Sequence, residues 1–417
     1  MDKLKITGGV ALSGEIEVSG AKNAVLPILA ATILARGVSV INNVPSLRDV
    51  HTFLKVLNSL GAKAEFTAQN QVSVDATEIT NTTAPYDLVK TMRASVLVLG
   101  PLLARAGQAK VSLPGGCAIG ARPIDQHIKG LQKLGAEIEV IEGYVEAKTK
   151  ELIGRRIIPD MITVTGTENI LMAAVLAKGM TIIENAAKEP EVCDLANMLN
   201  IMGAKIQGIG TDRLEIEGVN ELNPVVYTTQ ADRIEAGTYL VAGAITGGNI
   251  RVNNVNPLLL EAVLEKLEDA GSKIIRGDNF IEIDQRGRSL KAVDFRTEPF
   301  PAFPTDMQAQ FMALNCVAEG ASNIIETIFE NRFMHVPELV RMGANLRIDG
   351  NSVITRSAKL TGAQVMATDL RASAGLVVAA LAAEGTTIIE RIYHLDRGYD
   401  GLEKKLAKVG AKIERIR

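Results

Sequence analysis

The sequence predicts an α/β protein made of six similar units, with three units in each of two domains. Two sets of glycines indicate the repeat. One set ends an Ala-rich helix before a β-branched run, at Gly37, Gly107, Gly179, Gly248, Gly320 and Gly385. The other set ends an amphipathic helix in a Gly-Ala or Gly-Ser step, at Gly61, Gly135, Gly203, Gly271, Gly343 and Gly410. Within the six pairs, the second glycine follows the first by 24, 28, 24, 23, 23 and 25 residues. This regularity indicates duplication, and we interpret all twelve glycines as helix caps and turns without a role in a site.

Each unit is predicted to run helix, strand, helix, strand, strand. In the first unit, the apolar residues of the second helix recur on one face, at Val50, Phe53, Leu54, Leu57 and Leu60. Ser46 is expected to cap the start of this helix. Residues 63–66 and 71–74 alternate in polarity, which predicts a hairpin with one solvated face. The helices over 172–178 and 376–383 are apolar almost all round and are therefore expected to be buried.

Composition excludes several classes of function. The 417 residues are 47 % apolar with a net charge of −3, so a large core is possible and no general polyanion-binding surface is implied. Aromatic residues make up 4 % without any Trp, which argues against stacking platforms for nucleic acid. Early charged residues and short apolar runs argue against a secretory signal or a membrane span. Three cysteines without metal-ligand spacing are consistent with a reducing cytoplasm. The absence of P-loop, dinucleotide, HExxH and CxxC motifs leaves ATP hydrolysis, NAD chemistry and zinc chemistry without support.

Function is expected where the units depart from the repeat. The first departure is the segment 18–24, in which Gly20 precedes Lys22 and Asn23 at the start of an apolar helix. The amide groups and the dipole of a helix N-terminus favour an anion, and Lys22 would add a point charge. The alternative is that Lys22 is an exposed, solvated side chain.

The second departure is the loop over 113–125, in which three glycines surround Cys117 and Arg122 follows. A nearby cation lowers the pKa of a thiol, and such a thiol can act as a general acid or a nucleophile. The alternative is a Gly-rich turn with an inert thiol. Cys193 and Cys316 are expected to be buried.

The third departure is Asp306, which follows two prolines and opens an apolar helix. As a site residue it could accept a proton from a substrate hydroxyl group. As a structural residue it would be the helix N-cap, and the two roles can coexist.

The fourth departure is a set of arginines in apolar or tightly turned contexts, namely Arg93, Arg332, Arg371 and Arg397. Arginine binds phosphate and carboxylate through two parallel hydrogen bonds, so several together would bind a small trianion strongly. The alternative is that some form structural ion pairs, with Asp369 and Asp396 as nearby candidates.

Six motifs resemble the enolpyruvyl transferase family over essentially the whole chain. They are residues 19–23 (SGAKN), 114–123 (PGGCAIGARP), 304–310 (PTDMQAQ), 330–335 (ENRFMH), 367–372 (ATDLRA) and 393–399 (YHLDRGY). The loop that carries Cys117 distinguishes the chain from the branch of the family that makes 5-enolpyruvylshikimate 3-phosphate.

The resemblance implies an inside-out α/β barrel of two domains, each with three repeated units of the βαβαββ type. One domain would comprise residues 22–229, with the Cys117 loop as a lid. The other would comprise residues 1–21 and 230–417. A hinge is implied near 20–23 and 228–231, with substrates bound between the domains.

The implied reaction transfers the enolpyruvyl group of phosphoenolpyruvate to the 3-hydroxyl of UDP-N-acetylglucosamine and releases phosphate. This would be the first committed step of peptidoglycan synthesis, in the cytoplasm. The resemblance implies no metal or organic cofactor, no nucleic-acid partner and no membrane insertion.

The resemblance also implies roles for individual residues. Catalysis is assigned to Cys117, Asp306, Lys22 and Arg397. Cys117 would protonate the methylene carbon and could form a covalent adduct, while Asp306 would accept the hydroxyl proton. Substrate binding is assigned to Lys22, Asn23, Arg93, Arg122, Pro123, Ile124, Asp125, Gln126, Ile162, Thr163, Val164, Thr165, Asp306, Ile328, Arg332, Arg371 and Arg397.

Three alternatives remain open at this point. The acceptor could differ, for example shikimate 3-phosphate. The chain could be a non-catalytic nucleotide-sugar sensor, although the presence of Cys117, Asp306 and the arginines argues against it. An RNA 3′-phosphate cyclase is disfavoured by the few aromatic residues, the acidic charge balance and the absence of a nucleotidyl-transfer histidine motif.

Overall fold

The computed structural model describes residues 2–90, 92–113 and 124–417. These residues form two compact units, each with its own apolar core. Residues 2–19 and 231–417 belong to the first unit, and the described residues from 20 to 230 belong to the second. None of the described helices has the length and apolar composition that a transmembrane segment needs.

The chain begins with two strands of the first unit, β1 (Lys3–Thr7) and β2 (Ser13–Glu17). Three copies of the repeat then build the second unit. The first copy contains α1 (Lys22–Ala31), β3 (Val38–Asn42), α2 (Arg48–Ser59), β4 (Lys63–Ala68), β5 (Gln71–Asp75) and β6 (Thr83–Ala84). The second contains α3 (Tyr86–Val89), α4 (Leu99–Ala106), β7 (Gln108–Ser112), α5 (Asp125–Lys133), β8 (Glu137–Ile141), β9 (Tyr144–Lys148) and β10 (Arg156–Ile157). The third contains α6 (Val164–Ala174), β11 (Met180–Glu184), α7 (Pro190–Ile201), β12 (Lys205–Gln207), β13 (Arg213–Glu217) and β14 (Val226–Thr228).

Three further copies complete the first unit. The fourth contains α8 (Arg233–Ile245), β15 (Asn249–Asn253), α9 (Glu261–Asp269), β16 (Lys273–Arg276), β17 (Phe280–Asp284) and β18 (Phe295–Arg296). The fifth contains α10 (Gln308–Val317), β19 (Ala321–Ile325), α11 (Val336–Arg341), β20 (Asn345–Asp349), β21 (Ser352–Arg356) and β22 (Gln364–Met366). The sixth contains α12 (Leu370–Ala382), β23 (Thr386–Glu390), α13 (Leu402–Lys408) and β24 (Lys412–Ile416). Its last strand is β1, which lies between β23 and β24.

Each copy contributes to a four-stranded sheet of one design. One edge strand runs parallel to its neighbour, and the remaining pairs are antiparallel. This edge strand has two or three residues in five of the sheets, and it is β2 in the sixth. In the second unit the strand orders are β14-β3-β5-β4, β6-β7-β9-β8 and β10-β11-β13-β12. In the first unit they are β16-β17-β15-β2, β18-β19-β21-β20 and β22-β23-β1-β24. The predicted six-unit α/β repeat is therefore confirmed. The pattern missed the short edge strands because a few residues cannot display a two-residue period.

The most apolar helices are buried as predicted and form the centre of each unit. In the first unit, α8, α10 and α12 pack against one another, and every residue of α8 is buried. In the second unit, α1, α4 and α6 occupy the same position. The strands alternate buried and more exposed residues, as in β5 and β15, because only one face of each sheet covers these helices. This layering places the helices inside and the sheets outside, as in the inside-out barrel that the resemblance implies.

A glycine permits a close contact between two central helices of the first unit. A Cβ atom at Gly375 on α12 would lie 2.8 Å from the carbonyl oxygen of Ala309 on α10. A side chain at this position would therefore push the two central helices apart.

Two predictions about local structure were wrong. Helix α2 begins at Arg48 after Leu47, and no side chain caps it, so Ser46 is not the N-cap. Its hydroxyl oxygen instead lies 3.1 Å from Nε2 of His51. Cys316 is buried as predicted, but Cys193 is only partly buried.

A buried ion pair holds Ser19, where the first segment of the first unit ends. Lys405 Nζ lies 2.7 Å from Oε1 of Glu235 and donates to Ser19 Oγ at 2.6 Å. Oε2 of the same carboxylate accepts the backbone N–H of Ser19. The returning chain joins this cluster, because the N–H of Asp232 donates to the carbonyl of Ser19. The hinge expected near 20–23 and 228–231 stays a prediction.

Candidate active site

Lys22 is held by a carboxylate in the second unit. It is the first residue of α1, and its ammonium nitrogen lies 2.8 Å from Oδ2 of Asp49 in the first turn of α2. Only 11 % of the Lys22 side chain and 5 % of the Asp49 side chain are exposed. The solvated-lysine alternative is therefore wrong. The neighbouring Asn23 is exposed.

Arg93 begins a 3₁₀ helix (Arg93–Val98) that leads into α4, and it is half-buried. The turn thus places a cation at the entry to a central helix. Cys117, Arg122 and Pro123 lie outside the described residues, so their roles stay predictions.

The residues from 162 to 165 form the start of α6. Thr163 is the N-cap, because its hydroxyl oxygen accepts the N–H of Gly166 at 3.2 Å. Ile162 and Thr165 are exposed on either side of this cap, and Val164 is half-buried. The arrangement presents an apolar side chain and a hydroxyl group beside a helix N-terminus, which favours an anionic ligand.

A buried histidine orients Thr165. Oδ1 of Asn169 accepts the N–H of Gly100, so Nδ2 of Asn169 faces Nδ1 of His127 at 3.0 Å. Nδ1 must therefore accept, and the proton of the neutral ring resides on Nε2, which lies 3.1 Å from Thr165 Oγ1. Burial lowers the pKa of His127 to about 4, which keeps the ring neutral at pH 7. The Thr165 hydroxyl group accepts this hydrogen bond and can direct its own proton outward.

Gln126 is buried and bonded within the protein. Its Oε1 accepts the N–H of Asp160 at 2.9 Å, and its Nε2 donates to Oδ2 of Asp125 at 2.9 Å. The side-chain amide of Gln126 therefore joins the start of α5 to the segment that contains Asp160. Oδ1 of Asp125 is also buried, and it accepts no hydrogen bond from the part of the chain that the structure describes. Ile124 packs against the core beside it.

Asp306 forms ion pairs with two arginines of the first unit. Nη2 of Arg332 lies 2.8 Å from Oδ1, and Nε of Arg371 lies 3.1 Å from Oδ2. The arginine side chains are 6 % and 3 % exposed, whereas 24 % of the Asp306 side chain is exposed. Two guanidinium groups favour the ionised carboxylate and leave it facing solvent. Asp306 lies in a 3₁₀ turn and does not cap α10, whose cap position is Met307, so the N-cap alternative is wrong.

A second carboxylate supports Arg332 and Ile328. Nη1 of Arg332 donates to Thr305 Oγ1 at 2.7 Å, and that hydroxyl group donates to Oε2 of Glu326. Oε1 of Glu326 accepts the N–H of Ile328 at 2.9 Å. Glu326 is buried, while Ile328 is 36 % exposed. One carboxylate therefore fixes both the arginine and an apolar surface residue.

The guanidinium group of Arg371 packs against an aromatic ring. Its guanidinium carbon lies 5.3 Å from the centre of the Tyr399 ring, and the Tyr399 hydroxyl lies 2.9 Å from Thr238 Oγ1. Asp369 is not its ion-pair partner. Oδ1 of Asp369 caps α12 by accepting the backbone N–H groups of Arg371 and Ala372.

Arg397 is the last residue of a 3₁₀ helix (Ile392–Arg397) and is half-buried. The carboxylate of Asp396 is engaged by Arg415, with oxygen–nitrogen distances of 2.6 and 3.1 Å. Asp396 was a candidate partner for a site arginine, and its bidentate partner is a residue of β24.

Sequence reasoning missed Asp49 and Glu326. For Glu326 a signal existed in the repeat. The residue after the corresponding strand is Asn43, Asn185 or Asn254 in three other copies, and each adopts a positive φ of 56° to 63°. A glutamate in place of asparagine is a departure from the repeat. Asp49 gave no comparable signal, because an acidic residue in the first turn of a helix is common.

Metal ligation finds no support in the described segments, where no group of three or more His, Cys, Asp or Glu side chains is arranged to hold an ion.

Comparisons with known proteins agree on one family. A model of the EPSP synthase family (3-phosphoshikimate 1-carboxyvinyltransferase) matches residues 6–406. A UDP-N-acetylglucosamine 1-carboxyvinyltransferase from Dichelobacter nodosus is 68 % identical over 417 residues, which cover 100 % of this chain and 99 % of that protein. The crystal structure of the enolpyruvyl transferase NikO from Streptomyces tendae is similar with a TM-score of 0.89 and 26 % identity, covering 99 % and 98 % of the two chains. An EPSP synthase structure from Acinetobacter baumannii has a TM-score of 0.77 at 18 % identity over 100 % of both chains, a likeness of fold alone.

Proposed function

The chain belongs to the EPSP synthase family of carboxyvinyltransferases, and on this premise we propose that it transfers the enolpyruvyl group of phosphoenolpyruvate to the 3-hydroxyl of UDP-N-acetylglucosamine. Phosphate is the second product. We choose this acceptor because the chain is 68 % identical over its full length to a UDP-N-acetylglucosamine 1-carboxyvinyltransferase. The reaction commits the sugar to peptidoglycan synthesis.

Asp306 is the group that we assign to the acceptor hydroxyl. Its carboxylate pairs with two guanidinium groups, which favour the ionised form, and it remains partly exposed. An ionised carboxylate within reach of a hydroxyl group accepts its hydrogen bond and then its proton. Arg332 and Arg371 hold Asp306 in position. Nη1 of Arg371 is buried and has no hydrogen-bond acceptor among the described residues, so it can donate to an incoming anion.

The phosphoenolpyruvate trianion requires several cations. We assign Lys22, Arg93, Arg122 and Arg397 to its phosphate and carboxylate groups, because charge-assisted hydrogen bonds to such groups contribute roughly 1.5–3 kcal/mol each. The placement of Lys22 and Arg93 at helix starts supports this assignment, because both positions favour anions.

Proton transfer completes the reaction in two stages. Cys117 donates a proton to the methylene carbon of phosphoenolpyruvate while the acceptor oxygen attacks C2 and its proton passes to Asp306. The tetrahedral intermediate then returns a proton from the new methyl group to the Cys117 thiolate and expels phosphate, which takes up the proton held by Asp306. These steps restore the carbon–carbon double bond and consume no cofactor.

The nucleotide of the acceptor is assigned to the second unit and to Ile328. Asn23 would hold a polar group of the sugar. Residues 162–165 offer an exposed apolar side chain, a hydroxyl group and a helix N-terminus. Oδ1 of Asp125, which accepts no hydrogen bond from the described residues, is suited to accept an N–H group of the base. Segment 122–126 would supply further contacts through its backbone.

One assay tests the reaction. Phosphate release from phosphoenolpyruvate is measured with UDP-N-acetylglucosamine, with shikimate 3-phosphate and without any acceptor. Release with the UDP-sugar alone is expected. Release with shikimate 3-phosphate would favour the second candidate, which the description of the matching family model suggests. No release with either acceptor, despite bound UDP-sugar in calorimetry, would indicate a non-catalytic sensor.

We also propose that the enzyme works in the cytoplasm. Cys193 and Cys316 are unpaired thiols, as expected in a reducing compartment.

A further inference from the structure

Arg415 binds several carboxylates, and one of them belongs to Asp396, the neighbour in sequence of the proposed catalytic residue Arg397. Its Nη2 and Nη1 atoms donate to the two oxygens of Asp396 at 2.6 and 3.1 Å, and its Nε donates to Glu403 at 3.0 Å. Oδ2 of Asp2 lies 3.5 Å from Nη1 of Arg415. Arg415 therefore joins the last strand to helix α13 and to the 3₁₀ helix that ends in Arg397.

The 3₁₀ helix is fixed on two sides. Ile392 and Leu395 are 1 % exposed and anchor it to the core. The residue between Leu395 and Arg397 is Asp396, and its carboxylate anchors the helix from the outside through Arg415. After Arg397, Tyr399 is buried again. The backbone that carries Arg397 is thus held before and after it, and the outer contact depends on one arginine.

We propose that Arg415 is a positioning residue for the reaction: by fixing Asp396, it fixes the turn that directs Arg397 to phosphoenolpyruvate. The inference rests on the function proposed above. Arg415 does not touch substrate in this proposal, and its effect passes entirely through Arg397.

The repeat supplies a matched control in Arg276. Arg276 lies five residues after Gly271, and Arg415 lies five residues after Gly410, so they occupy the same position of the repeat. Arg276 also binds one carboxylate through two hydrogen bonds, to Glu268 at 2.7 and 3.0 Å, and a second carboxylate at Glu261.

The two arginine side chains are almost equally exposed, at 31 % for Arg276 and 30 % for Arg415. The partners of Arg276 are both on α9, and neither is adjacent to a proposed site residue. The main difference is therefore that Arg415 binds a carboxylate of the turn that carries Arg397, whereas Arg276 binds carboxylates of α9.

Exposed ion pairs contribute little to stability, so a purely structural Arg415 would behave like Arg276. A positioning role predicts a different signature. Substrate affinity should fall when the bidentate contact is lost, while the stability change should match that of the control.

The experiment compares initial rates at varied phosphoenolpyruvate and saturating UDP-N-acetylglucosamine. Arg415→Ala and Asp396→Asn are each expected to raise the KM for phosphoenolpyruvate about fivefold, with kcat reduced less. Arg415→Lys should lie between them and the wild type, because an ammonium group cannot form the two parallel bonds. Arg276→Ala should leave both constants unchanged. Because Asp396→Asn removes only a charge, it tests the proposal even if Arg415→Ala folds poorly.

A second measurement tests whether the effect passes through Arg397. In an Arg397→Lys background, adding Arg415→Ala should change the KM less than about twofold, because the group being positioned is gone. An unchanged KM in both Arg415→Ala and Asp396→Asn, or the same fivefold rise in the Arg397→Lys background, would overturn the proposal. A wild-type protein that releases no phosphate would instead count against the proposed function, so the two failures are distinct.

Discussion

The ammonium nitrogen of Lys22 lies 2.8 Å from Oδ2 of Asp49, and this pair joins the first turn of α1 to the first turn of α2. Both side chains are withdrawn from water. When one partner of a buried ion pair is removed, the remaining charge is poorly solvated, which costs about 3 kcal/mol. We therefore expect Asp49→Asn to lower the free energy of unfolding by about 3 kcal/mol in urea titrations.

The control for this prediction is an exposed pair in the same unit. Asp87 contacts Lys90 at 2.6 Å, but the two side chains are 84 % and 41 % exposed. Asp87→Asn should change the free energy of unfolding by less than about 0.5 kcal/mol. Equal effects of the two substitutions would show that the Lys22–Asp49 pair is not energetically special.

The second prediction concerns Asp306. Replacement by asparagine keeps the size of the side chain but removes the base, so kcat for phosphate release should fall at least about 100-fold. Glu298→Gln is the control, because Glu298 pairs with Arg296 on the surface of the same chain segment. Folding of both variants is checked by circular dichroism. A folded Asp306→Asn variant that retains kcat would leave Asp306 without a role in proton transfer.

Much of the fold could be predicted from the sequence, because the positions of glycines and the periodicity of apolar residues recur in each copy of the repeat. Gly61 and Gly410 both adopt a φ of 100°, a conformation that favours glycine, so the pattern of glycines locates the helix ends. The short strands such as β6 and β10 were missed because their formation depends on a neighbouring strand and not on their own two residues. The family resemblance implied that residues 1–21 join the part of the chain from residue 230, but it did not give the pairing of β14 with β3. Local patterns carry no information on pairing between such distant strands.

The candidate site was only partly predictable. The sequence indicated that Asp306, Arg332 and Arg371 depart from the repeat, but their mutual ion pairs join residues up to 65 positions apart. Asp369 and Asp396 were nearer in sequence to the arginines and were candidates for that reason. The structure uses one to cap a helix and the other to bind Arg415. Sequence proximity is a poor guide to ion pairs when central helices from different copies converge.

The third prediction compares the three thiols. Burial raises the pKa of the Cys316 thiol to about 12 and also raises the pKa of Cys193, so both should react slowly with iodoacetamide at pH 7. Cys117 is predicted to react fastest, because Arg122 follows it by five residues and a nearby cation lowers the pKa of a thiol. Mass spectrometry of the labelled peptides measures the three rates separately.

The same labelling tests the proposed lid. We expect UDP-N-acetylglucosamine to change the rate at Cys117, because the family resemblance implies that the loop of Cys117 acts as a lid. Equal rates with and without the UDP-sugar would contradict lid movement. Cys117→Ser should retain UDP-sugar binding and lose most turnover, and near-normal kcat at neutral pH would remove Cys117 from the proton-donor role.

The last prediction concerns two buried groups whose titrations oppose each other. Burial lowers the pKa of His127 to about 4, whereas burial raises the pKa of Asp194 to about 6. The unfolded chain binds a proton at His127 below about pH 6.5 while the folded chain does not, so the contribution of His127 to stability is lost as the pH falls from 6.5 to 4. The folded chain holds a proton on Asp194 up to about pH 6, so that contribution is lost as the pH rises from 4 to 6.

The difference between the wild type and each variant isolates the titration of the substituted group. The free energy of unfolding is measured in urea at pH 4.5, 5.5, 6.5 and 7.5 for the wild type, His127→Gln and Asp194→Asn. Between pH 4.5 and 7.5, wild type minus His127→Gln should increase by about 2.5 kcal/mol, and wild type minus Asp194→Asn should decrease by about 2 kcal/mol. Taking differences cancels all other titrating groups. Two differences of the same sign would contradict this assignment, because a neutral buried imidazole and a protonated buried carboxyl group require opposite slopes.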